Sequence, residues 1–475
     1  MGKDKYSYLV KNTLLFTISS FGSKILVFLL VPLYTSILST ADYGISDLIT
    51  TTATLLIYII TINIADSVLR FSIDAEKNKE KYLKYGLQIL LYSSIMLIIG
   101  LFLVYKVGYL KWKPQYYIFL FLQFFSLAFY QIVSNFLRAI DKVKEVAVSG
   151  IITTFITVIL NIILLVLLKM GIYGYLISMV SGSFVSSLYC TWVARSYVPA
   201  LFKAQVDRDT KINMRGYSIP LIFNNVSWWM NTSIDRYFVA GICGTAANGI
   251  YAVSYKIPTI MSVAHSVFSQ AWNLSAIKEY DKNDSDGFFS KTYGLYNALL
   301  VLLCSLLIIL NIPIAKILFS KDFFTAWEYS SVLLVSIVFS SLGGFLGSIF
   351  TAVKDTKIFA VSTVISAVIN CILNAVLIPQ MGTIGAAIAT LIAFFFIWLI
   401  RLICTRKYII WRMNVVKDLI AYIILITQVF IEHTQNHGYM FQMITFGILL
   451  VVYKEQVAMC SKTVIQKFNS IVRRR

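Results

Sequence analysis

Charge is scarce in this sequence. Only 13% of its 475 residues are Asp, Glu, Lys or Arg, against about 25% in ordinary soluble domains. A water-facing surface over most of the chain is thereby excluded. Histidine is scarcer still, with three residues, and their positions allow no nucleophile to be assembled with a His and an acid partner. The six cysteines (Cys190, Cys243, Cys304, Cys371, Cys404 and Cys460) form no CxxC pair and no regular spacing. They read as small apolar fillers rather than as a disulfide framework. No Walker A sequence occurs, so ATP hydrolysis by the chain itself is not expected. His433 and His437 stand beside Glu432 in what reads as an outer loop, but no third ligand accompanies them, and no metal is expected. The start MGKDKYSYLVKNTLLF lacks a small-residue cleavage site, so the first apolar run reads as a retained span. Tyr6 breaks the myristoylation pattern.

Apolar residues fill the gap: 58% of the chain is hydrophobic. Stretches of about 20 apolar residues recur from end to end, each long enough to cross a bilayer as a helix. The pattern predicts an all-α polytopic membrane protein with about fourteen spans, at 12–37, 45–69, 83–105, 116–138, 146–168, 172–194, 217–242, 250–272, 290–312, 328–351, 357–380, 383–404, 415–432 and 437–455. The connections are short and leave no room for a soluble catalytic domain.

The net charge of +19 would suggest a nucleic-acid partner in a soluble protein. The loops give a simpler cause. Of 41 Lys and Arg, 32 fall on the side of the N-terminus, 6 on the other side and 3 inside spans. That bias predicts both termini in the cytoplasm. No nucleic-acid partner is expected, and binding to anionic lipid is a by-product at most.

The chain repeats itself. AIDKVKEVAVSGIITTFITVILN (139–161) aligns without gaps on AVKDTKIFAVSTVISAVINCILN (352–374), with 10 of 23 positions identical. TADYGI (40–45) meets TAANGI (245–250), and the two offsets are 213 and 205 residues. These matches predict two parallel six-helix lobes, 1–198 and 217–405, joined by a basic cytoplasmic linker at 199–216. Residues 406–475 add two spans and a basic tail. Parallel repeats place a cavity between lobes.

Polar residues in the spans follow helical rhythm. The first span carries Thr13, Thr17, Ser20 and Lys24; the second, Asp47, Thr51, Thr54, Tyr58 and Thr61. The seventh carries Asn224, Trp228, Asn231 and Asp235, with a second stripe of Asn225, Trp229, Thr232 and Arg236. The eighth carries Tyr255, Thr259, Ser262, Ser266, Ser269 and Asn273. Helix–helix hydrogen bonding is one reading of each stripe. Four stripes at equivalent places in two repeats favour a water-filled cavity. Neighbours on a helix do not face one another, so Asp235 and Arg236 should not simply pair. Arg236 is either cavity charge or a snorkelling anchor, and Lys256 poses the same choice. Lys24, near mid-depth, is expensive unless wet or paired. His265 reads as a packing residue or a proton relay. Asp66, with Arg70 four residues on, reads as an interfacial ion pair, with ion coupling as the alternative. Pro32 and Pro258 read as bends or hinges.

Two stretches carry a family resemblance, FGSKILVFLLVPLYTSILSTADYGISDL (21–48) and DRYFVAGICGTAANGIYAVSYKIP (235–258). With the two repeats and two extra spans, the chain resembles the oligosaccharide flippases of the polysaccharide transporter family. Their superfamily also holds multidrug and toxin extrusion antiporters and lipid II flippases. The resemblance covers nearly the whole chain, and its motifs are diffuse. It implies a fold like that of the multidrug extruders, no enzymatic step and no cofactor. It also implies movement of undecaprenyl-diphosphate-linked repeat units to the outer leaflet of a bacterial cytoplasmic membrane, for O-antigen, capsule or exopolysaccharide. Implied partners are membrane lipids and the polymerase and chain-length proteins of the pathway.

On that reading Lys24, Arg236 and Lys256 would supply positive charge to an anionic headgroup. Asn224, Asn225 and Asn231 would bond sugar hydroxyls, and Trp228 or Trp229 would stack on sugars. Asp235, His265 and Asp66 are the candidates for ion coupling. A multidrug or metabolite cation antiporter and a membrane glycan polymerase or ligase are the rivals. The first would favour acidic cavity residues, the second a sizeable outer loop.

Overall fold

The computed structural model describes residues 28–108, 112–434 and 438–459. All regular structure among them is helical. Nine of the described helices are long and apolar enough to cross a membrane. The chain divides into two compact units, residues 1–249 and 250–475.

In the first unit the order is α1 (Val31–Ile37), α2 (Thr40–Ile60), α3 (Ile64–Asp74), α4 (Glu80–Val107), α5 (Pro114–Ala139), α6 (Val143–Asn161), α7 (Gly171–Val193), α8 (Val198–Lys203) and α9 (Arg208–Ile242). A wide π turn, Ile162–Leu167, prolongs α6. The hub is α5, which packs on α2, α3, α4 and α7. Its buried face holds Leu120, Phe124, Ala128, Ile132, Phe136 and Leu137, at helical spacing. The outer face of α4 is the reverse: Leu91, Tyr92, Ile95, Met96, Ile99, Phe102 and Leu103 are all exposed. Apolar surface on that scale belongs against lipid.

The second span expected over 45–69 is not one helix. It breaks at Thr61–Asn63, where Ile62 and Asn63 have φ of 51° and 53°. A β-branched residue in the left-handed region costs of order 1–3 kcal/mol. The chain accepts it here in order to redirect α3. The linker expected over 199–216 also changes, because α8 occupies its start and α9 begins at Arg208 with Asp207 accepting from the Thr210 amide. By contact α9 belongs to the first unit and packs on α2 and α3.

The second unit follows α10 (Thr245–Ser254), which straddles the division. It contains α11 (Pro258–Lys278), α12 (Phe288–Leu318), α13 (Trp327–Ala352), α14 (Thr356–Met381), α15 (Thr383–Thr405), α16 (Val415–Thr434) and α17 (Tyr439–Val452). Pro258 does not bend a continuous span; it sits in the first turn of a new helix, where its missing N–H costs nothing. Pro32 likewise opens α1. The hub is α13, packed on α11, α12 and α15. Gly343 and Gly347 allow that closeness, since a Cβ on either would come within 2.8 Å of Ile397 or 2.6 Å of Phe359. The starts of α5 and α13 lie 213 residues apart, as do those of α6 and α14, which is the offset of the sequence repeat.

Candidate functional site

The opening helices of the two repeats carry the charged groups of interest. Ser39 caps α2, accepting from the Asp42 amide at 3.1 Å, which fixes the start of the helix. Two turns on, Asp47 faces α9. Arg236 of α9 reaches it, with Nη1 3.4 Å from Asp47 Oδ1 and 3.1 Å from Thr51 Oγ1. Arg236 and Asp47 are 18% and 16% exposed, so the pair is sheltered but not sealed. Trp229 Nε1 donates to the Thr51 carbonyl at 3.1 Å, and Tyr237 and Thr52 hydroxyls meet at 2.6 Å. The polar stripe on α2 thus meets the α9 stripe by direct hydrogen bonds, which answers part of the cavity expectation with helix–helix contact.

Asp235 and Arg236 are not ion partners. The Asp235 carboxylate accepts from the Arg236 backbone amide at 3.0 Å, and the side chain is 1% exposed. Asn231 is equally buried and donates to the Ser227 carbonyl within its own helix. Trp229 is buried as well. Asn224, Asn225 and Trp228 differ: they are half-buried, and their side chains make no hydrogen bond among the described residues. Of the seventh-span candidates, these three have groups to offer a ligand.

The TADYG and TAANG segments lie against each other. A Cβ on Gly44 would sit 2.0 Å from the Thr245 carbonyl oxygen, and one on Gly249 would sit 1.9 Å from that of Thr40. The contact is reciprocal, because Thr40 and Gly44 are the counterparts of Thr245 and Gly249 at the repeat offset of 205. Asn248 Nδ2 donates to the Gly44 carbonyl at 3.0 Å and lies 3.5 Å from Asp47 Oδ2. Asp47 therefore stands between Arg236 and the glycine contact.

The remaining expectations fall elsewhere. Lys24, with Thr13, Thr17 and Ser20, lies outside the described residues, as do His437 and Cys460. Asp66 does not pair with Arg70. It accepts from Asn63 Nδ2 at 2.7 Å, while Arg70 turns to Asp74 at 3.0 Å. The left-handed break puts Asn63 beside Asp66, and the exposed end of α3 lets Arg70 swing outward. His265 shares a hydrogen bond with the Tyr296 hydroxyl and lies against Gly344, in the packing role. Lys256 is half-buried in the short break between α10 and α11. The five described cysteines are free thiols.

Two buried groups were not singled out by sequence reasoning. Arg401 on α15 is fully buried, donating to Gly343 O, Ser362 Oγ and Thr363 Oγ1 at 2.8–2.9 Å, with its guanidinium 4.2 Å from the Phe359 ring centre. Glu432, the last residue of the span expected over 415–432, forms part of the last turn of α16 and is 1% exposed. The rhythm Asp418, Tyr422, Leu425, Gln428, Glu432 on α16 was the available signal.

Comparison with known proteins agrees with this architecture. A family model described as polysaccharide biosynthesis protein matches residues 9–273, and one described as lipid II flippase MurJ matches 259–447. The probable low-salt glycan biosynthesis flippase Agl15 of Haloferax volcanii is 28% identical over 187 residues, covering 36% of this chain and 39% of that protein. An uncharacterized membrane protein of Methanocaldococcus jannaschii, MJ1375, is 22% identical over 85% of this chain and all of its own length. Among solved structures, lipid II flippase MurJ in an inward closed conformation superposes with a TM-score of 0.68 at 16% identity, over 95% of this chain and all of that one. A MOP superfamily transporter from Pyrococcus furiosus gives 0.57 at 13% identity, over 84% and 94%. Because the first of these models spans more than half of the chain, the chain belongs to the polysaccharide biosynthesis protein family, built on the fold seen in MurJ and the multidrug extruders.

Proposed function

We propose that the protein is a flippase for lipid-linked oligosaccharide, moving an undecaprenyl-diphosphate-linked repeat unit across a bacterial cytoplasmic membrane for surface glycan assembly. Family membership supports the class of activity. The observation that supports the substrate class is the sheltered Arg236, a fixed cation on α9 whose counter-ion, Asp47, lies at 3.4 Å. An anionic headgroup can compete for such a guanidinium, and a diphosphate offers it bidentate acceptors. Half-buried Asn224, Asn225 and Trp228 supply uncommitted hydrogen-bonding and stacking groups on the same helix. Lys24 and Lys256 would add positive charge, and the reciprocal glycine contact would separate and re-form as access alternates. The two lobes, 1–198 and 217–405, would carry that motion, with both termini in the cytoplasm.

The test is deletion of the gene with leaflet-resolved measurement of lipid-linked intermediates. Surface glycan should disappear while repeat units accumulate on the cytoplasmic leaflet. Units found unpolymerised on the outer leaflet would assign the protein to polymerisation and remove the flippase reading. Unchanged glycan together with lost drug resistance would point to the antiporter class.

A further inference from the structure

Glu432 ends α16 in an environment that suits an acid and not an anion. It is 1% exposed, and among the described residues no cation pairs with it. A carboxylate in the last turn of a helix also meets the negative end of the macrodipole. Sealed from water, it would be costly unless compensated.

The surrounding hydrogen bonds show what compensates it. Asn311 on α12 spends both amide hydrogens, one on Glu432 Oε1 and one on the Trp327 carbonyl, each at 2.9 Å. Three buried oxygens then stand without a hydrogen-bond partner: Asn311 Oδ1, Glu432 Oε2 and Ser331 Oγ. The Ser331 hydroxyl neighbours the Glu432 carboxyl. With Glu432 ionised, only the Ser331 hydrogen would be left for two acceptors. One more proton closes the set: Ser331 donates to Oε2, and Oε2–H donates to Asn311 Oδ1. Asparagine and carboxylic acid then form a two-armed ring, of which the structure already holds one arm.

We propose that Glu432 is a proton-binding site, held as the carboxylic acid at neutral pH with its proton shared with Asn311. The groups around it are consistent with that state. His433 directs its ring nitrogens to the carbonyls of Val429 and Glu328. Glu328 at the start of α13 is an acid, and Lys316, Lys321 and Asp322 are exposed. Tyr439 at the start of α17 is the remaining titratable neighbour. Losing the proton would leave an anion facing a carbonyl acceptor, so the junction of α12, α13 and α16 would have to open to water. Proton occupancy is thereby linked to a change in packing, independently of the Arg236 centre.

Infrared spectroscopy of the full chain in lipid, at neutral pH, tests this. Wild-type protein should show a protonated-carboxyl C=O stretch that Glu432→Gln removes and Asp418→Asn leaves in place. Asn311→Leu should shift that stretch to higher frequency, as expected for a carbonyl and hydroxyl freed of hydrogen bonds. Glu432→Gln should keep the thermal midpoint unchanged, since its amide can donate to Asn311 Oδ1. A protonated-carboxyl stretch untouched by Glu432→Gln, or loss of a carboxylate stretch in its place, would overturn the proposal and assign a water or cation to the cluster.

Discussion

Arg236 sits in the polar helix α9 and Arg401 in the apolar helix α15, and the two meet their surroundings in opposite ways. Arg236 keeps 18% exposure and an acidic partner at 3.4 Å. Arg401 has no exposure and no acid; neutral oxygens of Gly343, Phe359, Ser362 and Thr363 take its hydrogens. A guanidinium whose three nitrogens all donate within its own fold, with no exposure, has little to give a ligand. One held by a carboxylate and a hydroxyl at its edge, and still 18% exposed, can exchange partners. On the proposed function, the same residue type serves architecture in the second unit and recognition in the first.

The contrast can be broken most severely at Arg401. Arg401→Ala should leave four carbonyl or hydroxyl acceptors unfilled beside a new cavity, a loss on the order of 3 kcal/mol. The expected result is a large fall in the thermal midpoint or in the yield of monodisperse protein. Arg401→Lys should not restore it, because an ammonium cannot span the same fork of acceptors. Normal folding of both variants would remove the architectural role.

Arg236→Ala should fold normally, yet reduce surface glycan per inserted protein by about tenfold or more, the value of one charge-assisted contact. Arg236→Lys should keep a substantial part of it. Equal loss of abundance and display would make Arg236 a second Arg401. Gly44→Ala asks how far the Arg236 neighbourhood depends on the adjacent turn, since the new Cβ would meet the Thr245 carbonyl. We expect a smaller, conformational effect. A cysteine placed at buried Ser46 should change from unreactive to reactive toward a water-soluble thiol reagent, with total protein unchanged.

The smallest effect is expected at the end of the Arg401 helix, in water. The Tyr408 hydroxyl donates to Asp355 and holds that carboxyl below the usual carboxylate range. A lowered folded-state value means the contribution is present at neutral pH and is lost as pH falls through it. Tyr408→Phe should therefore lower neutral-pH stability slightly and leave stability at low pH nearly unchanged, which flattens the acid sensitivity.

Helix positions and the duplication were legible because both rest on local pattern. Hydropathy placed α4 to α7 and α12 to α15 closely, and the 213-residue offset reappears in the starts of α5 and α13. The break at Thr61–Asn63 was not legible, because nothing local demands it, whereas Pro258 marked the place of the break at Tyr255–Ile257 but not its extent. Polar stripes showed which residues turn inward but not toward what. On α2 and α9 they turned toward each other. Arg401 lies one turn from a span end, where sequence position suggests a headgroup contact. Its burial depends on two other helices, α13 and α14. Asp66 and Arg70 illustrate the same limit, since helical spacing offers Arg70 two carboxylates, at Asp66 and Asp74, and tertiary placement chose between them.

The reciprocal fit of Gly44 against Thr245 and Gly249 against Thr40 has an ancestral side. Each turn is both the lock and the key of the same design. A single-copy forerunner could have made this contact between two identical chains, across a true dyad. Enlarging either glycine would spoil a surface that the other copy of the motif forms. The five-residue motif is thus self-complementary: each copy supplies both the glycine and the carbonyl that the other fits.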